Sequence, residues 1–308
     1  MDIISKRYWY FAISLVVIIP GIISLALWRL PLSIDFTGGS KLEVQFPQAA
    51  PGEIQPGDIK TLMADFGFGD SIVQTSEDNV VIIRTITLDE ETQAAVVAAL
   101  QEKYGETVVL RFDNVGPTVG ADVTRNAAIA VAAASIGILA YITYAFWSVP
   151  HAIRYGVCAI IAMLHDVLVM VGAASLLGHF LGWEVDALFL TAVLTVIGFS
   201  VHDTIVVFDR IRENQKVYRR AGYEAVVNHS IVQTLDRSIN TQLTVMFTLL
   251  ALALFGGVTI QHFIITLLIG VFSGTYSSIF NAAPLLVVWE NKEWGQWFGR
   301  GKQAEAAA

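Results

Sequence analysis

Apolar residues are concentrated in six long stretches of the chain. They occupy residues 8–30, 126–146, 152–176, 187–209, 237–255 and 263–289. Each is close to the roughly 20 residues that an α-helix needs to cross the hydrocarbon of a bilayer. The pattern therefore predicts a polytopic α-helical membrane protein with six transmembrane helices, and the last stretch is long enough to extend into an interface.

The composition agrees with this pattern. The chain has 308 residues, of which 55% are hydrophobic and 15% are charged. A soluble protein this apolar would have too little polar surface to stay in solution. The first stretch follows Lys6 and Arg7 as a signal peptide would, but its length and the absence of a small-residue cleavage site indicate an uncleaved anchor.

The segment between the first two stretches has the pattern of a small α+β domain. It predicts strands at 41–46, 71–75, 79–87 and 107–113, with a turn at 76–78. It predicts helices at 58–66 and from the capping residue Asp89 to Tyr104. The order β-α-β-β-α-β is that of a ferredoxin-like fold. We expect a first transmembrane helix at 1–30, this domain at 31–120, a five-helix bundle at 121–290 and a tail at 291–308.

Basic residues predict the orientation in the membrane. They lie before the first span, near Arg154, after the fourth span and in the tail, whereas the loops around 178–186 and 256–262 contain no Lys or Arg. Positive residues mark the cytoplasmic side, so we predict that both termini are cytoplasmic and that the α+β domain is extracytoplasmic. The net charge of −8 is concentrated in that domain, which argues against nucleic acid as a partner.

Ionisable residues inside the spans are the candidate functional residues, because a charge in hydrocarbon is costly. Asp203 lies in the fourth span and Arg237 opens the fifth. Counted at 1.5 Å per residue, Asp203 lies roughly 24 Å from the outer end of its helix and Arg237 roughly 28 Å, so their depths differ by about 5 Å. This predicts either a static ion pair or a carboxylate whose proton affinity changes as Arg237 moves.

The sequence contains further polar residues in the spans that hold Asp203 and Arg237 and in the third span. A supporting stripe follows Arg237 on one helical face and consists of Asn240, Thr241, Thr244 and Thr248. His202 is either a relay partner of Asp203 or a packing residue, and Asp166 in the third span is a further candidate without an evident basic partner. Residues 224–235 are expected to form a short amphipathic helix on the membrane surface.

Small residues line one side of the sixth span. We name Gly270, Gly274 and Ser278 as helix-packing positions, because small side chains at this spacing let helices approach closely. The alternative for this face is that it slides against a neighbour or admits water beside Asp203.

Several motifs, in order along the chain, resemble the SecF family of bacterial protein-export subunits. They are DFTGGS at 35–40, VGPTV at 115–119, LHD at 164–166, GFSVHDTIVVFDRIREN at 198–214, RSINT at 237–241, the glycine pair at 256–257 and GVFSGTYSS at 270–278. The segment at 198–214 is the most specific of them. The matches cover nearly the whole chain.

The resemblance implies half of a transporter of the resistance-nodulation-division superfamily. It implies a heterodimer with SecD, association with the SecYEG channel, YajC and SecA as further partners, and a proton-motive-force-coupled role in moving preproteins across the bacterial cytoplasmic membrane. It aligns the family's membrane acid with Asp203 and its arginine with Arg237. The family usually has Asn before that acid, where this chain has His202. The difference bears on the proton affinity of the acid and on the pH range of coupling.

Two other classes of function compete with this interpretation. A non-energised membrane scaffold would gain nothing from a buried acid. An intramembrane hydrolase would need catalytic motifs that the chain lacks, because it has neither a zinc-binding HExxH pair nor a GxSxG elbow. We therefore predict no enzymatic activity, no catalytic residue, no metal and no cofactor. Preprotein and membrane lipids are the expected contacts.

Overall fold

The computed structural model describes residues 1–50, 53–75, 79–147 and 152–293. The turn predicted at 76–78 and residues 294–308 of the predicted tail lie outside this part of the chain. The fold divides into two compact units, one formed by Met1–Pro31 with Ile129–Ala308 and the other by Leu32–Ala128. The first unit is a helical bundle and the second is an α+β domain.

The six long spans and the elements of the α+β domain follow one another as the sequence pattern predicts, and a short helix that the pattern did not predict precedes the first strand. The helices are α1 (Arg7–Trp28), α2 (Ile34–Thr37), α3 (Pro56–Asp65), α4 (Glu90–Tyr104), α5 (Pro117–Ala145), α6 (Ala152–Leu181), α7 (Ala187–Val217), α8 (Tyr223–Phe255), α9 (Val258–Ser277) and α10 (Ala283–Glu290). The strands are β1 (Gly39–Gln45), β2 (Ile72–Thr75), β3 (Val80–Thr85) and β4 (Val108–Val115).

Six helical spans in the described part of the chain are long and apolar enough to cross a membrane, which confirms the predicted number. They are formed by α1, α5, α6, α7, α8 and a sixth span that joins α9 to α10. The bundle is centred on α6, α7 and the sixth span, because about half of the most apolar part of each is buried. The other three spans leave most of their surface exposed in this chain.

The sixth span contains a turn of π-helix at Ser278–Ala282. Pro284 follows in the first turn of α10. Proline lacks an amide N–H and clashes with the carbonyl four residues earlier, so the α-helical pattern cannot run through it undisturbed. The turn rearranges the helix where Ser278 and Asn281 lie buried in the bundle.

The prediction of a separate surface helix at 224–235 is wrong. The single helix α8 runs without interruption from Tyr223 to Phe255. Its first half is buried at Val227 and Ile231, and Asn214 near the end of α7 donates hydrogen bonds to Ser230 and Gln233 at 2.9 and 2.8 Å. The apolar face therefore packs against protein instead of lipid headgroups, and no Gly or Pro interrupts the helix before the span.

The α+β domain has the predicted ferredoxin-like topology. Its strands are all antiparallel in the order β2-β3-β1-β4. One face of the sheet packs on α3 and α4 through a core that includes Leu42, Ile59, Ile83 and Leu100. The predicted cap of α4 is confirmed, because the Asp89 side chain accepts a hydrogen bond from the Thr92 amide at 2.8 Å.

Two glycines fix the start of β1. Gly38 and Gly39 have φ angles of +72° and +117°, which residues with a side chain rarely adopt. A Cβ on Gly38 would lie 2.8 Å from Cα of Pro117, and one on Gly39 would lie 2.5 Å from the carbonyl oxygen of Thr85. The motifs at 35–40 and 115–119 therefore meet in space, where β1 pairs with β4 and α5 begins.

Candidate functional site: a buried polar layer in the helical bundle

Asp166 lies at the centre of the bundle and is 1% exposed. Its Oδ2 accepts hydrogen bonds from the Ser200 and Ser277 hydroxyls at 2.6 and 2.7 Å, and its Oδ1 accepts one from Ser273 at 2.7 Å. These serines come from α7 and α9, so one carboxyl group joins three helices.

His165 is the basic neighbour that the sequence did not make evident. Its Nδ1 lies 3.0 Å from Oδ1 of Asp166, although the two residues are adjacent on α6. His165 is 9% exposed, and its Nε2 is buried without a hydrogen-bond partner in the described part of the chain. Asp166 therefore has four polar contacts, three of them from serines that sequence analysis had not linked to it.

Asp203 is the second buried acid of the bundle, at 3% exposure. Its partner is Gln242 of α8, whose Nε2 donates a hydrogen bond to Oδ2 at 2.5 Å. The Oε1 atom of Gln242 and the hydroxyl of Ser238, one turn earlier, are buried without partners among the described residues. Within the described residues, this acid therefore joins α7 to α8.

Arg237 lies on a different face of α8 from Gln242. It is exposed in this chain, and no ion pair connects it with Asp203 in the described structure. The predicted supporting stripe of Asn240, Thr241, Thr244 and Thr248 is exposed on α8 as well. The three threonine hydroxyls donate to backbone carbonyls four residues earlier, at 2.8–3.0 Å.

His202 lies on the exposed side of α7. It shares that side with Thr191, Thr195 and Gly198, which are also exposed. Asp203 points inward instead, since successive residues of a helix are rotated by about 100°. The structure therefore separates the named residues into two buried acids and an outward polar surface, which consists of His202, Arg237 and the stripe on α8.

The small residues of the sixth span lie against α7. A Cβ on Gly270 would lie 2.4 Å from Cγ2 of Val196, and one on Gly274 would lie 3.1 Å from Cβ of Ser200. Ser278 donates a hydrogen bond to the Ser200 carbonyl oxygen at 3.0 Å and shares another with Thr204 at 2.9 Å. Close packing and hydroxyl contacts on this face keep α9 near both buried acids.

Two carboxyl groups are held in the interior of a lipid-embedded bundle, where their charge is costly unless paired. The residues that the structure describes contain no group of three or more His, Cys, Asp or Glu that could hold a metal ion. Each carboxyl links helices, so a change in its protonation alters contacts between them.

The fold and the two buried acids, Asp166 and Asp203, define a class of protein. The chain is a multi-pass helical membrane protein with a ferredoxin-like domain inserted after the first span and two buried acids in its helical core. Two family models match it. "Protein export membrane protein SecD/SecF, C-terminal" matches residues 95–292, and "SecD/SecF GG Motif" matches residues 29–50, which include Gly38 and Gly39.

Relatives along the whole chain agree with these models. The protein translocase subunit SecF of Anaerolinea thermophila is 54% identical over 309 residues and covers 100% of both chains. That of Thermobaculum terrenum is 50% identical over 320 residues, covering 100% of this chain and 99% of the relative. The protein translocase subunit SecDF of Bacillus subtilis is 38% identical over 297 residues, which are 95% of this chain and 38% of that one.

A solved structure gives the same answer for the fold. The crystal structure of SecDF from Thermus thermophilus, titled a translocon-associated membrane protein, superposes with a TM-score of 0.81 at 31% identity. The match covers 94% of this chain and 39% of that one. The chain therefore belongs to the SecD/SecF family of protein-export membrane proteins, as its motifs predicted. It has an accessory role in protein export, which is a transport role.

Proposed function

We propose that this chain is the proton-coupled SecF half of a SecD–SecF complex that helps to move preproteins across the bacterial cytoplasmic membrane. The observation that carries the proposal is the pair of buried carboxyl groups, Asp166 and Asp203, which link four helices of the bundle. A scaffold without an energy source would be more stable with apolar side chains at these depths.

Proton movement would use the two acids together with the outward polar surface. Asp203 is the carboxyl that exchanges protons, and Arg237 is the permanent cation that approaches or withdraws from it, because a guanidinium stays charged at physiological pH. His202 and Asp166 are further members of the relay. A proton that neutralises a carboxyl removes an acceptor for its hydrogen-bond donors, and the helices that they join can then shift.

SecD is the partner that the outward polar surface fits best. His202, Arg237, Asn240 and three threonines are exposed on α7 and α8 of a chain that spans a membrane. Polar residues in spans usually face a bundle interior or a water-filled cavity, and ion paths in such transporters lie between two related halves. The Bacillus subtilis relative carries the name of both subunits in one chain. We infer that this surface faces SecD.

The remaining partners and the orientation rest on family membership and on the distribution of charge. SecYEG is the channel that the complex assists, with YajC and SecA as further partners. Both termini are cytoplasmic, and the ferredoxin-like domain is extracytoplasmic, where it would contact emerging preprotein or move between states. The basic residues at 210–220 and the Lys/Arg-free loops support this orientation.

The proposal is tested by export into membrane vesicles with and without a proton gradient. Asp203→Asn and Arg237→Ala are compared with the wild-type chain in complex with its partner. We expect both variants to lose the gradient-dependent part of export. Asp209→Asn is the matched control, because Asp209 lies on the same helix but pairs with Arg212 at 2.5 Å at the partly exposed end of α7.

The outcome separates the proposal from its alternative. Wild-type, gradient-dependent export by Asp203→Asn would eliminate the proton-carrier role and leave the scaffold. Replacement of His202 by Asn tests the tuning of the acid in the same assay, and an unchanged pH profile would remove His202 from the relay.

A further inference from the structure

The helices α7 and α8 form a hairpin that is longer than the hydrocarbon of a membrane is thick. At 1.5 Å per residue, about 20 residues cross the roughly 30 Å of hydrocarbon. Counted from the ends of the hairpin at Ala187 and Phe255, the remainder consists of residues 207–217 of α7 and 223–235 of α8. This part projects roughly 15–20 Å beyond the hydrocarbon. We name residues 207–235 the stalk.

The stalk lies on the membrane face where the chain begins. The Asn228 side chain accepts a hydrogen bond from the Ile3 amide at 2.8 Å and donates one to the Met1 carbonyl oxygen at 3.0 Å. Apolar residues of the N-terminus and of the stalk share one buried cluster, which includes Ile3, Ile4, Ile211, Val227 and Ile231. The stalk is therefore a packed part of the helical unit.

The motif at 198–214 ends in residues that brace the stalk. Asn214 joins α7 to α8 through its two side-chain hydrogen bonds at 2.9 and 2.8 Å. Arg212 donates a hydrogen bond to the Ala145 carbonyl oxygen at 3.3 Å, and its guanidinium carbon lies 5.6 Å from the centroid of the Phe146 ring. The end of this motif, which the proton-coupled function does not use, therefore fixes the direction of the stalk.

The acidic residues on either side of the turn between α7 and α8 are paired within the chain. Glu213 lies 3.0 Å from Arg210, and Glu224 lies 3.3 Å from Arg7. Between them, residues 214–223 contain no Asp or Glu. Negative charge close to the turn is thus already balanced by other cations.

The turn presents three basic side chains in an ordered arrangement. Lys216, Arg219 and Arg220 are exposed, and none of them forms an ion pair with another residue of the described chain. The Arg219 Nε atom donates a hydrogen bond to the Lys216 carbonyl oxygen at 3.2 Å. We name residues 216–220 the tip, which is a positively charged surface on a braced support.

A lipid surface fits the tip poorly. The headgroup layer adds roughly 5–8 Å to each side of the hydrocarbon, so the tip stands roughly 10 Å beyond the headgroups. The Debye length is about 8 Å at physiological ionic strength. Most of the attraction by anionic headgroups is therefore screened over this distance.

A protein surface fits the tip better than a nucleic acid does. Val217 and Tyr218, which lie between the basic residues, are 70% and 43% exposed. Tyrosine and arginine are enriched at protein–protein interfaces. Affinity for nucleic acid depends on the number of phosphates that a protein neutralises, and three cations neutralise few of them. The charge and the apolar surface together fit an acidic protein.

We propose that the stalk is a docking element and that its tip binds an acidic protein surface on the membrane face where the chain begins. The inference goes beyond the proton-coupled function, since docking needs neither of the buried acids. It gives the end of the motif at 198–214 the role of holding the tip in place.

The first test places the photoreactive residue p-benzoylphenylalanine at Tyr218 of the full chain, in membranes of its own cells with the soluble cytoplasm added back. We expect irradiation to give a protein adduct. The adduct should fall about tenfold or more in the variant that combines Lys216→Gln, Arg219→Gln and Arg220→Gln, because three ion pairs are lost together. A matched control with the same loss of charge should leave the adduct unchanged. It removes three exposed cations of the α+β domain: Lys60→Gln, Lys103→Gln and Arg125→Gln.

The position of the adduct identifies the chemistry of the partner. We expect mass spectrometry to place it beside Asp or Glu residues on a protein surface. Lys216→Glu, Arg219→Glu and Arg220→Glu together should abolish the adduct, and Lys at those acidic positions of the partner should restore it. The proposal would be overturned by an adduct on lipid or nucleic acid alone, by a protein adduct that persists in about 1 M salt, where the Debye length is about 3 Å, or by no adduct.

Asn214→Ala tests whether the brace positions the tip. Spin labels at Val217 and Ala225 report the distance between the two arms of the stalk, in a chain whose buried Cys158 is replaced by Ala. We expect a broader distance distribution and a lower yield of the adduct. The control is Thr191→Val at the other end of α7, which loses a hydrogen bond to a carbonyl of its own helix. A wild-type distribution in Asn214→Ala would remove the brace from the proposal.

The docking proposal and the proton-coupled function can fail separately. Asp203→Asn should keep the wild-type adduct while it loses gradient-dependent export. Loss of that export, together with no adduct at Tyr218 in the otherwise wild-type chain, would keep the proton-coupled function and reject docking. A salt-sensitive adduct together with wild-type export by Asp203→Asn would do the reverse.

Discussion

Gly270 is the position where a single methyl group should test the packing around the buried acids. A Cβ there would lie 2.4 Å from Cγ2 and 3.0 Å from Cγ1 of Val196, and 2.8 Å from Sδ of Met170. Ordinary contacts between carbon atoms are about 3.5–4.0 Å. Gly270→Ala therefore forces α9 and α7 apart by about 1 Å or displaces both neighbouring side chains.

The neighbours cannot yield easily. Val196 and Met170 are each 1% exposed, and a β-branched side chain in a helix has one strongly preferred rotamer. Overpacking of this kind costs about 1–3 kcal/mol. Replacement of glycine by alanine within a helix also stabilises the helix by up to about 1 kcal/mol, because alanine has the higher helix propensity. The cost of the steric overlap must therefore be measured against a variant that has the same propensity gain.

Gly137→Ala is this control variant, because a Cβ on Gly137 of α5 would meet nothing within 4 Å. The propensity gain is shared by the two variants, so their difference in unfolding free energy isolates the overlap. We expect Gly270→Ala to be less stable than Gly137→Ala by about 1–3 kcal/mol. Sodium dodecyl sulfate titration of the purified full chain in mixed micelles, followed by circular dichroism, measures this difference. Equal stability of the two variants would refute the packing argument.

Two further predictions concern hydrogen bonds of buried carboxyl groups. Ser277→Ala should lower the unfolding free energy by about 0.6–1.7 kcal/mol, and Ser200→Ala combined with Ser277→Ala should lower it by more than the sum of the single changes, because Oδ2 of Asp166 then keeps neither of its hydroxyl donors. A double-mutant cycle measures this coupling, and additive costs would contradict it. The control is Thr275→Val, which loses a hydrogen bond to a carbonyl of its own helix. Burial of Glu293 opposes its ionisation, but hydrogen bonds from Arg7 and Tyr8 outweigh the burial and lower the pKa of Glu293. The ionised carboxylate therefore contributes its full stabilisation above the ordinary glutamate pKa. That stabilisation is lost as the pH falls through the lower pKa of the folded state. Glu293→Gln should therefore flatten the acid limb of a stability–pH curve, and an unchanged limb would contradict the assignment.

Much of the fold follows from local patterns. The six spans are recognisable because length and apolarity are properties of each segment alone. The ferredoxin-like order follows from alternation, helical periodicity and the capping residue Asp89, all of which lie within a few residues of the element that they define. The start of α8 was misjudged because the partner of its first half, the end of α7, is a tertiary neighbour.

The partners of the buried acids could not be predicted in the same way. Counting residues gives the depth of Arg237 along its helix but not its rotation about the helix axis. Gln242 is five residues further on, which rotates its side chain by about 140° relative to Arg237 at about 100° per residue. The structure turns Gln242 toward Asp203 and Arg237 outward. The serines around Asp166 come from two other helices, and only packing brings them together.

The two acids differ in what their protonation would change, and α7 is common to both. Asp166 binds Ser200 of α7, and Asp203 lies three residues further along the same helix. Asp166 also binds α9, whereas the hydrogen bond of Asp203 in the described part of the chain goes to α8. A proton on Oδ1 of Asp166 therefore alters a contact of α6 with α9, and one on Oδ2 alters contacts of α6 with α7 and α9. A proton on Asp203 alters the contact of α7 with α8. Since the outward surface of α7 carries His202, the proposed motion would reach the partner subunit through this helix. Cross-linking α7 to α6 should then block proton-dependent export more strongly than cross-linking α5 to α6.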